Sequence, residues 1–441
     1  MKTNTVLLSA LWVLPCLSAL AGEGGPQAGA GTEPSQAEAQ RRKDADDLKK
    51  LSSAVSASPR ETVVGWRYDG SGQFAAAEPV TEWSAKANVL WSIKAGPGNS
   101  SPIAVGGKVL LAVEPDLFIC LDAANGKECW RKTHKFSDLP AELHAKDPEL
   151  PSQAGYATPT PVSDGHWVYA CFGSGIAACY DLEGKRRWIV WLDVEQTTGY
   201  GRTASPVLVG ERLLLHLGPL VCLDAATGKR MWQNEQAQAT YGTPAATCIG
   251  GVDIVVTPRG DIVRISDGRI LADGVAAASY VSPVIAGGVA YFIANAATAI
   301  QLPDKITEKV EAKELWCEEI EGDFFASPVI HEGLIYIANA DAVYHVLDAK
   351  TGKTVLKEAL KLPPAGQHSA TVLVYPSLAL AGKHLFVGNN AGDTAVLKPG
   401  PKLEEVKLNS LSQGCGASYA FAGSSIFIRG GQWLYCIRRT E

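Results

Sequence analysis

The sequence predicts an all-β fold, an eight-bladed β-propeller built from four-stranded antiparallel blades. Three observations lead to this prediction. A Ser-Pro or Thr-Pro pair, or a degenerate form of it, opens a short apolar run eight times, and phrases like LDAATGKRMW (Leu223–Trp232) recur. The prolines that open successive units are 38 to 57 residues apart. That period, filled by four short runs between turn residues, is typical of a propeller blade.

Each unit contains the same four runs in the same order. The first begins at the proline pair, and the second is a β-branched and aromatic run such as LIYIAN (Leu334–Asn339). The third is a run such as LFICLD or AVYHVLD, and a glycine turn leads into a fourth that ends in Trp or an aliphatic residue. The first runs are SPIAV from Ser101, TPTPV from Thr158, SPVLV from Ser205, TPAAT from Thr243, SPVIA from Ser282, SPVIH from Ser327, YPSLA from Tyr375 and ASYAF from Ala417.

The repeated phrase has a structural explanation. A single blade buries only part of its two faces, so blades must pack against each other and need similar residues at similar places. Asp and Gly suit the turn between the third and fourth strands. We expect the large aromatic ring after that turn to lie against the neighbouring blade. The residues predicted for this role are Trp91, Trp130, Trp188, Trp232 and Trp316.

The ring is predicted to close with a strand from the other end of the propeller. The eighth unit, Ala417–Arg438, has room for only three strands. The run NVLWSIK (Asn88–Lys94) looks like an outer strand without preceding partners. Pairing it with the eighth unit would cover an exposed strand edge.

The N-terminal region is predicted to precede the propeller as two separate segments. Residues 1–21 combine Lys2, an apolar run and a small-residue cleavage pattern, as in a secretory signal. Pro15 disfavours a lipoprotein signal at Cys16. Residues 22–60 read as a flexible linker, with a short charged helix over Gln36–Leu51, and residues 61–441 form the propeller. The chain is therefore predicted to be exported, to the periplasm or outside the cell.

Composition and cysteine spacing exclude several classes of function. A formal net charge of −6 argues against a nucleic-acid surface, and no segment after the signal is long and apolar enough to span a bilayer. No Cys/His pattern indicates zinc or covalent haem. Cys120, Cys179, Cys222 and Cys436 share one place in the repeat, which indicates a buried apolar position. A cross-strand disulfide between Cys120 and Cys129 is an open alternative.

The repeat resembles that of the pyrroloquinoline-quinone (PQQ) propellers, which combine a Ser-Pro first strand with the LDaxTGKxxW phrase. The match is high at Leu121–Trp130, Leu223–Trp232 and Leu347–Leu356 and extends over most of Trp66–Arg438. The stretch from Trp66 to Pro102 is similar to secreted bacterial PQQ-like propellers, a group likened to the outer-membrane assembly factor BamB. The resemblance implies the eight-bladed fold. It leaves function open, because quinone-dependent dehydrogenases and cofactor-free proteins share this fold.

One reading of the resemblance is a PQQ-dependent dehydrogenase of alcohols or sugars that binds PQQ and calcium. Such enzymes carry an adjacent Cys-Cys pair, which this sequence lacks. They also need a calcium ligand set and a catalytic Asp. Asp181, Asp224 and Asp348 stand inside the repeated turns. The candidates for a calcium site are Asn295, Asn339, Asn389 and Asn390. We predict no cofactor, no metal and no catalytic residue, with PQQ and calcium as the alternative.

The preferred reading is a non-catalytic, monomeric interaction scaffold that binds a protein partner or an envelope polymer, with a glycan-binding module as a further alternative. Aromatic residues recur where the first strands begin, and the long insertion Thr133–Ala157 lies on the same face. Its histidines, His134 and His144, are expected to be solvated. The candidate binding residues are Tyr156, Tyr200, Arg202, Tyr241, Tyr280, Phe325 and His368, with Tyr375 nearby. Simple packing at the funnel is an equally good explanation for the aromatic rings.

Overall fold

The computed structural model describes residues 63–150, 152–278, 280–364, 373–411 and 413–440. The predicted signal, the linker, the helix over Gln36–Leu51 and His368 lie outside them. The described chain forms eight sheets in a ring, seven with four strands and one with five. This arrangement confirms the predicted fold class. No helix in these residues is long and apolar enough to cross a membrane.

The first four blades follow the chain in order, each written from the inner to the outer strand. Blade 1 contains Ile103–Val105, Lys108–Val113, Leu117–Asp122 and Glu128–Thr133. Blade 2 contains Val162–Ser163, Trp167–Cys171, Ile176–Asp181 and Arg186–Trp191. Blade 3 contains Val207–Val209, Arg212–His216, Leu220–Asp224 and Arg230–Asn234. Blade 4 contains Ala245–Ile249, Val252–Val256, Ile262–Arg264 and Ile270–Ala272.

The remaining blades repeat the pattern. Blade 5 contains Val284–Ala286, Val289–Ile293, Ala296–Gln301 and Lys313–Glu319. Blade 6 contains Val329–His331, Leu334–Ala338, Val343–Asp348 and Thr354–Ala359. Blade 7 contains Ala379–Ala381, His384–Gly388, Asp393–Lys398 and Glu404–Ser410. Blade 8 contains Ala420–Ala422, Ser425–Gly430, Trp433–Ile437 and Val89–Lys94.

The strand Val89–Lys94 closes blade 8, as predicted. It pairs antiparallel with Trp433–Ile437, with Trp91 opposite Cys436. The insertion after blade 1 contains two short 3₁₀ helices, Phe136–Asp138 and Ala141–Lys146. The face where the first strands begin, marked by Ser101 and Ser327, is called the entry face below. The turns of the repeated phrase lie on the opposite face, because four antiparallel strands alternate in direction.

The repeated Trp and Gly meet across blade boundaries, which confirms the predicted role of the Trp. The indole Nε1 of Trp188 in blade 2 donates to the carbonyl of Ala225 in blade 3 at 2.9 Å. Gly228 of the same blade 3 turn, at φ +72°, lies against the Trp188 ring, and a Cβ there would come within 2.7 Å of it. The other four rings donate in the same way to the next blade: Trp91 to Ala123, Trp130 to Leu182, Trp232 to Ile265 and Trp316 to Ala349.

The segment before the closing strand fills part of the axial channel, which the sequence did not indicate. Val64 pairs with Ser163 of blade 2, and Gln73–Phe74 adds a parallel fifth strand to blade 7. Between them Arg67 is 3% exposed and donates to the carbonyls of Pro328 and Leu378. Burial lowers the pKa of Arg67 to about 9. The chain therefore crosses the axis before it reaches the rim.

Candidate binding face

A closed ring of hydrogen bonds surrounds the axis at the entry face. In each blade the backbone N–H of the Ser or Thr at the start of the first strand donates to the hydroxyl of its counterpart in the next blade. The eight donor–acceptor distances lie between 2.7 and 3.1 Å. The members, in order, are Ser101, Thr160, Ser205, Thr243, Ser282, Ser327, Ser377 and Ser418. All eight are buried. Because they hold equivalent places in the eight blades, residues at the same distance from them along the chain can be compared between blades.

The position two residues before each of these hydroxyls faces the mouth of the channel and differs between the two halves of the propeller. From blade 1 to blade 8 it holds Asn99, Thr158, Thr203, Tyr241, Tyr280, Phe325, Tyr375 and Gly416. Blades 4 to 7 thus carry aromatic side chains, while the other four carry small or polar residues. In the other half, Thr203 Oγ1 donates to the carbonyl of Tyr241 at the next blade, at 2.8 Å.

Five aromatic rings form a continuous series, called the aromatic arc below: Tyr200, Tyr241, Tyr280, Phe325 and Tyr375. Successive ring centroids are 5.8, 5.3, 5.1 and 4.8 Å apart in that order. Tyr200 joins the series from the loop that leads into blade 3. The structure therefore brings together five of the aromatic residues that the sequence analysis singled out.

Much of the aromatic arc is open to solvent. Tyr200 is 43% exposed, Tyr280 44% and Tyr375 38%. The pKa of Tyr280 is raised by the burial of its phenol and by the neighbouring phenols of Tyr200 and Tyr241. The pKa of Tyr375 is raised by burial and by the phenols of Tyr200 and Tyr280. The exposed rings are thus part of one series of ring contacts at the entry face.

Tyr156 lies outside the aromatic arc. It precedes Pro159 by three residues, as Tyr241 precedes Pro244, but the blade 2 hydroxyl in the ring belongs to Thr160, so Thr158 holds the equivalent position. Tyr156 instead anchors the insertion, because its hydroxyl donates to the carbonyl of Leu150 at 2.7 Å. Its amide donates to Glu114 Oε2 at 2.9 Å.

Arg202 lies beneath the surface. Its side chain is 2% exposed, and it donates to the carbonyls of Leu217, Gly173 and Val194. Burial lowers the pKa of Arg202. The guanidinium joins loops of blades 2 and 3, and its burial keeps it from direct contact with a partner.

The expectation that both histidines of the insertion are solvated is wrong for His134. Its ring is 1% exposed and stacks on Phe172 with centroids 4.5 Å apart. Nε2 lies 3.0 Å from the Tyr180 hydroxyl and Nδ1 lies 3.2 Å from the Asp116 carbonyl. Burial lowers the pKa of His134 to about 4. His144 is exposed, as expected.

Two of the four asparagines considered as calcium ligands already have their side-chain oxygens bonded. Asn339 Oδ1 accepts the amides of Asp341 and Val343, at 3.1 and 2.8 Å. Asn389 Oδ1 likewise accepts the amides of Ala391 and Asp393. These oxygens shape their own turns. Within the described ranges, no group of three or more His, Cys, Asp or Glu side chains is placed to hold a metal ion.

The cysteines and turn aspartates occupy the places that the repeat indicates. Cys120, like the equivalent cysteines in three other blades, is fully buried. All nine cysteines of the described residues are free, so the open disulfide between Cys120 and Cys129 is not formed here. Asp224 Oδ1 accepts the amide of Thr227 at 2.8 Å, which is the turn-forming role expected of it.

The axial channel keeps a cavity of about 240 Å³ beside the segment that crosses it. The cavity lies between Trp66 and the first strands of blades 3 and 4. Its walls include Val207, Pro244 and Ala246, so they are largely apolar. It adjoins the ring of hydroxyls at Thr243, below the aromatic arc.

Comparison with known proteins places the chain among related propellers. The family model described as outer membrane protein assembly factor BamB matches residues 77–304 and 278–410. No curated protein matches the sequence.

Three solved structures have the same fold. BamB from Moraxella catarrhalis has a TM-score of 0.56 at 10% identity, covering 79% of this chain and 98% of that one. A europium-containing methanol dehydrogenase has a TM-score of 0.55 at 14% identity, covering 88% and 92%. The computationally designed protein Ika8 has a TM-score of 0.53 at 11% identity, covering 80% and 100%. At these identities the likeness concerns the fold alone.

Proposed function

We propose that this chain, which belongs to the PQQ-repeat propeller family described as outer membrane protein assembly factor BamB, is a non-catalytic protein-interaction module exported to the bacterial envelope. The entry face is its binding surface, and the aromatic arc is the centre of that surface. Export is supported by the signal pattern of residues 1–21.

The proposal rests on the observation that only some blades carry an aromatic residue two positions before the ring hydroxyl, although every blade joins the ring. The ring of hydroxyls closes equally well where the preceding position holds Asn99, Thr158 or Thr203 as where it holds Tyr280. Aromatic side chains are therefore not needed to close the propeller. Three large rings that remain 38 to 44% exposed on one face need a reason outside the fold.

Aromatic side chains are suited to that role. Tyr buries a large rigid surface at a small entropic cost and is enriched among the residues that dominate binding energy in protein interfaces. The five rings lie side by side, so one partner segment can contact several of them at once. The insertion after blade 1, anchored by Tyr156 and His134, extends the same face.

Site-specific photo-crosslinking in the producing cell tests the proposal. Benzoylphenylalanine in place of Tyr280 should give one defined protein adduct, and the same reporter in place of Lys229 on the opposite face should not. The double variant Tyr241→Ala/Tyr280→Ala should weaken binding of that adduct partner by about 2 kcal/mol or more. Charge reversal at Lys127 and Lys229 should leave binding unchanged. Equal crosslinking or equal loss on both faces would contradict the proposal.

Melting of the same variants separates binding from packing. If the rings only fill the funnel, the double variant loses stability and the folded fraction keeps its partner affinity. A PQQ-dependent activity is tested on the purified chain with PQQ, calcium and an electron-accepting dye. Turnover of an alcohol or sugar under these conditions would show that the protein is a dehydrogenase and would contradict the scaffold function.

A further inference from the structure

The entry face combines the aromatic arc with an excess of carboxylates. From blade 3 to blade 7, the connections on this face that carry charged residues are 192–206, 235–243, 273–283, 320–328 and 360–364 and the turns 257–261 and 339–342. They carry the exposed acids Asp193, Glu195, Glu235, Asp273, Glu321, Asp323 and Asp341. The exposed bases on their described residues are Arg259 and Lys361.

Most of these carboxylates are available to a partner. Glu321 forms an ion pair with Lys357. The other six form no ion pair within the described ranges. Asp323 stands two residues before Phe325 of the aromatic arc in the same connection, and its charge contributes to the raised pKa of Tyr280. A negative potential therefore lies next to the exposed faces of the rings.

The phenols add acceptors to the same surface. The hydroxyl groups of Tyr200, Tyr241, Tyr280 and Tyr375 form no hydrogen bond to any residue that the structure describes. Each can therefore accept from a partner. The face of an aromatic ring attracts a cation through its quadrupole, and a guanidinium also stacks on it through its flat surface. Rings, phenol oxygens and carboxylates together suit a positively charged, planar donor.

We propose that the aromatic arc binds a polypeptide segment rich in arginine, whose guanidinium groups stack on Tyr200, Tyr280 and Tyr375 and pair with carboxylates such as Asp323. This inference rests on the proposed protein-binding function and specifies its partner. An arc of five rings is long enough to contact several residues of an extended segment, since neighbouring centroids are 4.8 to 5.8 Å apart. An acidic segment is disfavoured, because the adjacent carboxylates would repel it. A neutral glycan is a separate outcome of the test.

Calorimetric titration of the mature chain with three peptides tests the inference. The probes alternate glycine with arginine, glutamine or glutamate over seven residues. The arginine peptide should bind, and replacing arginine by glutamine should weaken binding by roughly tenfold or more. Affinity for the arginine peptide should fall as salt rises, since exposed charges are screened.

Matched variants locate the site. Tyr280→Leu keeps an apolar side chain without a ring and should weaken arginine-peptide binding by roughly fivefold, whereas Tyr280→Phe keeps the ring and should stay within about twofold. Asp323→Asn should weaken binding by roughly threefold. Glu211→Gln removes an exposed carboxylate from the opposite face and should change nothing. Thermal melting of each variant checks that it is folded.

The outcomes separate this inference from the proposed function. Equal binding of the arginine and glutamine peptides, or equal effects of Asp323→Asn and Glu211→Gln, would overturn the arginine preference. So would saturable binding of a neutral glycan that Tyr280→Leu abolishes. In each of these cases a protein adduct at position 280 would still support the interaction function. No adduct at that position, with the arginine peptide bound, would contradict the function instead.

Discussion

The backbone N–H of Ser418 donates to Oγ of Ser101 at 2.9 Å, which joins blade 8 to blade 1. Ser101 in turn donates its own N–H to Thr160 Oγ1 at 3.1 Å, so the bonds continue around the axis until they return to Ser418. Each hydroxyl satisfies a buried amide that has lost access to water. This is a physical reason for the Ser or Thr at the start of every blade.

Removing one hydroxyl from this ring should destabilise the protein. Ser101→Ala leaves the buried amide of Ser418 without its acceptor, which should cost about 1–3 kcal/mol in the free energy of unfolding. Ser92→Ala, on the exposed side of the closing strand, is the control and should change little. Urea denaturation measures both. Equal midpoints for Ser101→Ala and the parent would show that the ring of hydrogen bonds does not stabilise closure.

Substitutions at two glycines allow the cost of backbone strain to be distinguished from the cost of a collision between blades. Gly210 (φ +56°) has open space around it, whereas Gly228 (φ +72°) lies against the Trp188 ring. Gly210→Ala should cost about 1–2 kcal/mol from strain alone. Gly228→Ala should cost a further 1–3 kcal/mol, roughly, because the methyl group collides with the indole. The difference should shrink in a Trp188→Leu background. Equal costs at both glycines would contradict the interblade contact.

The N-terminal segment from Val63 onward should be essential for a soluble fold. A chain that begins at Gly96 lacks the closing strand Val89–Lys94 and exposes the edge of Trp433–Ile437. It also lacks Arg67 and Trp83, both of which are buried. We expect it to aggregate on size-exclusion chromatography. A chain that begins at Arg60 should melt like a chain that begins at Gly22. Normal melting of the shorter chain would show that the ring does not need this closure.

Stability should fall as the pH decreases from about 6.5 to about 4. The folded state holds His134 neutral with a pKa of about 4, below the ordinary value of 6.5. Between these values the unfolded chain binds a proton that the folded chain does not, so acid favours unfolding. The shift corresponds to about 3 kcal/mol, at the order-of-magnitude level. His216, with a pKa also lowered by burial to about 4, acts in the same direction.

Substitution identifies the contribution of His134. His134→Phe keeps an aromatic ring against Phe172 and should reduce the difference in unfolding free energy between pH 7 and pH 5. His144→Gln, on the exposed part of the insertion, should leave that difference unchanged. Guanidinium denaturation at the two pH values is the measurement. An unchanged pH dependence in His134→Phe would mean that other groups account for it.

The sequence alone was sufficient for the architecture. Eight repeats, the role of Trp188 and its counterparts, and closure by the strand before Gly96 were all predicted, because each blade must solve the same packing problem with the same residues. The aromatic residues of the candidate site also stood out, since Tyr241, Tyr280 and Phe325 hold equivalent places in consecutive repeats. A residue that every blade needs at the same place appears in the sequence as a repeat.

Only the tertiary structure decided which of the candidates share a surface. Tyr156 lies outside the aromatic arc and Tyr375 within it, because the ring hydroxyls of blades 2 and 7 follow a proline, whereas those of blades 1 and 3 to 6 precede one. The burial of Arg202 and His134, and the passage of Arg67 through the channel, depend on contacts between segments far apart in the chain. Such contacts occur once in the molecule. Such single contacts leave no repeated pattern in the sequence. Only the folded chain, with its ring closed, shows which residues make them.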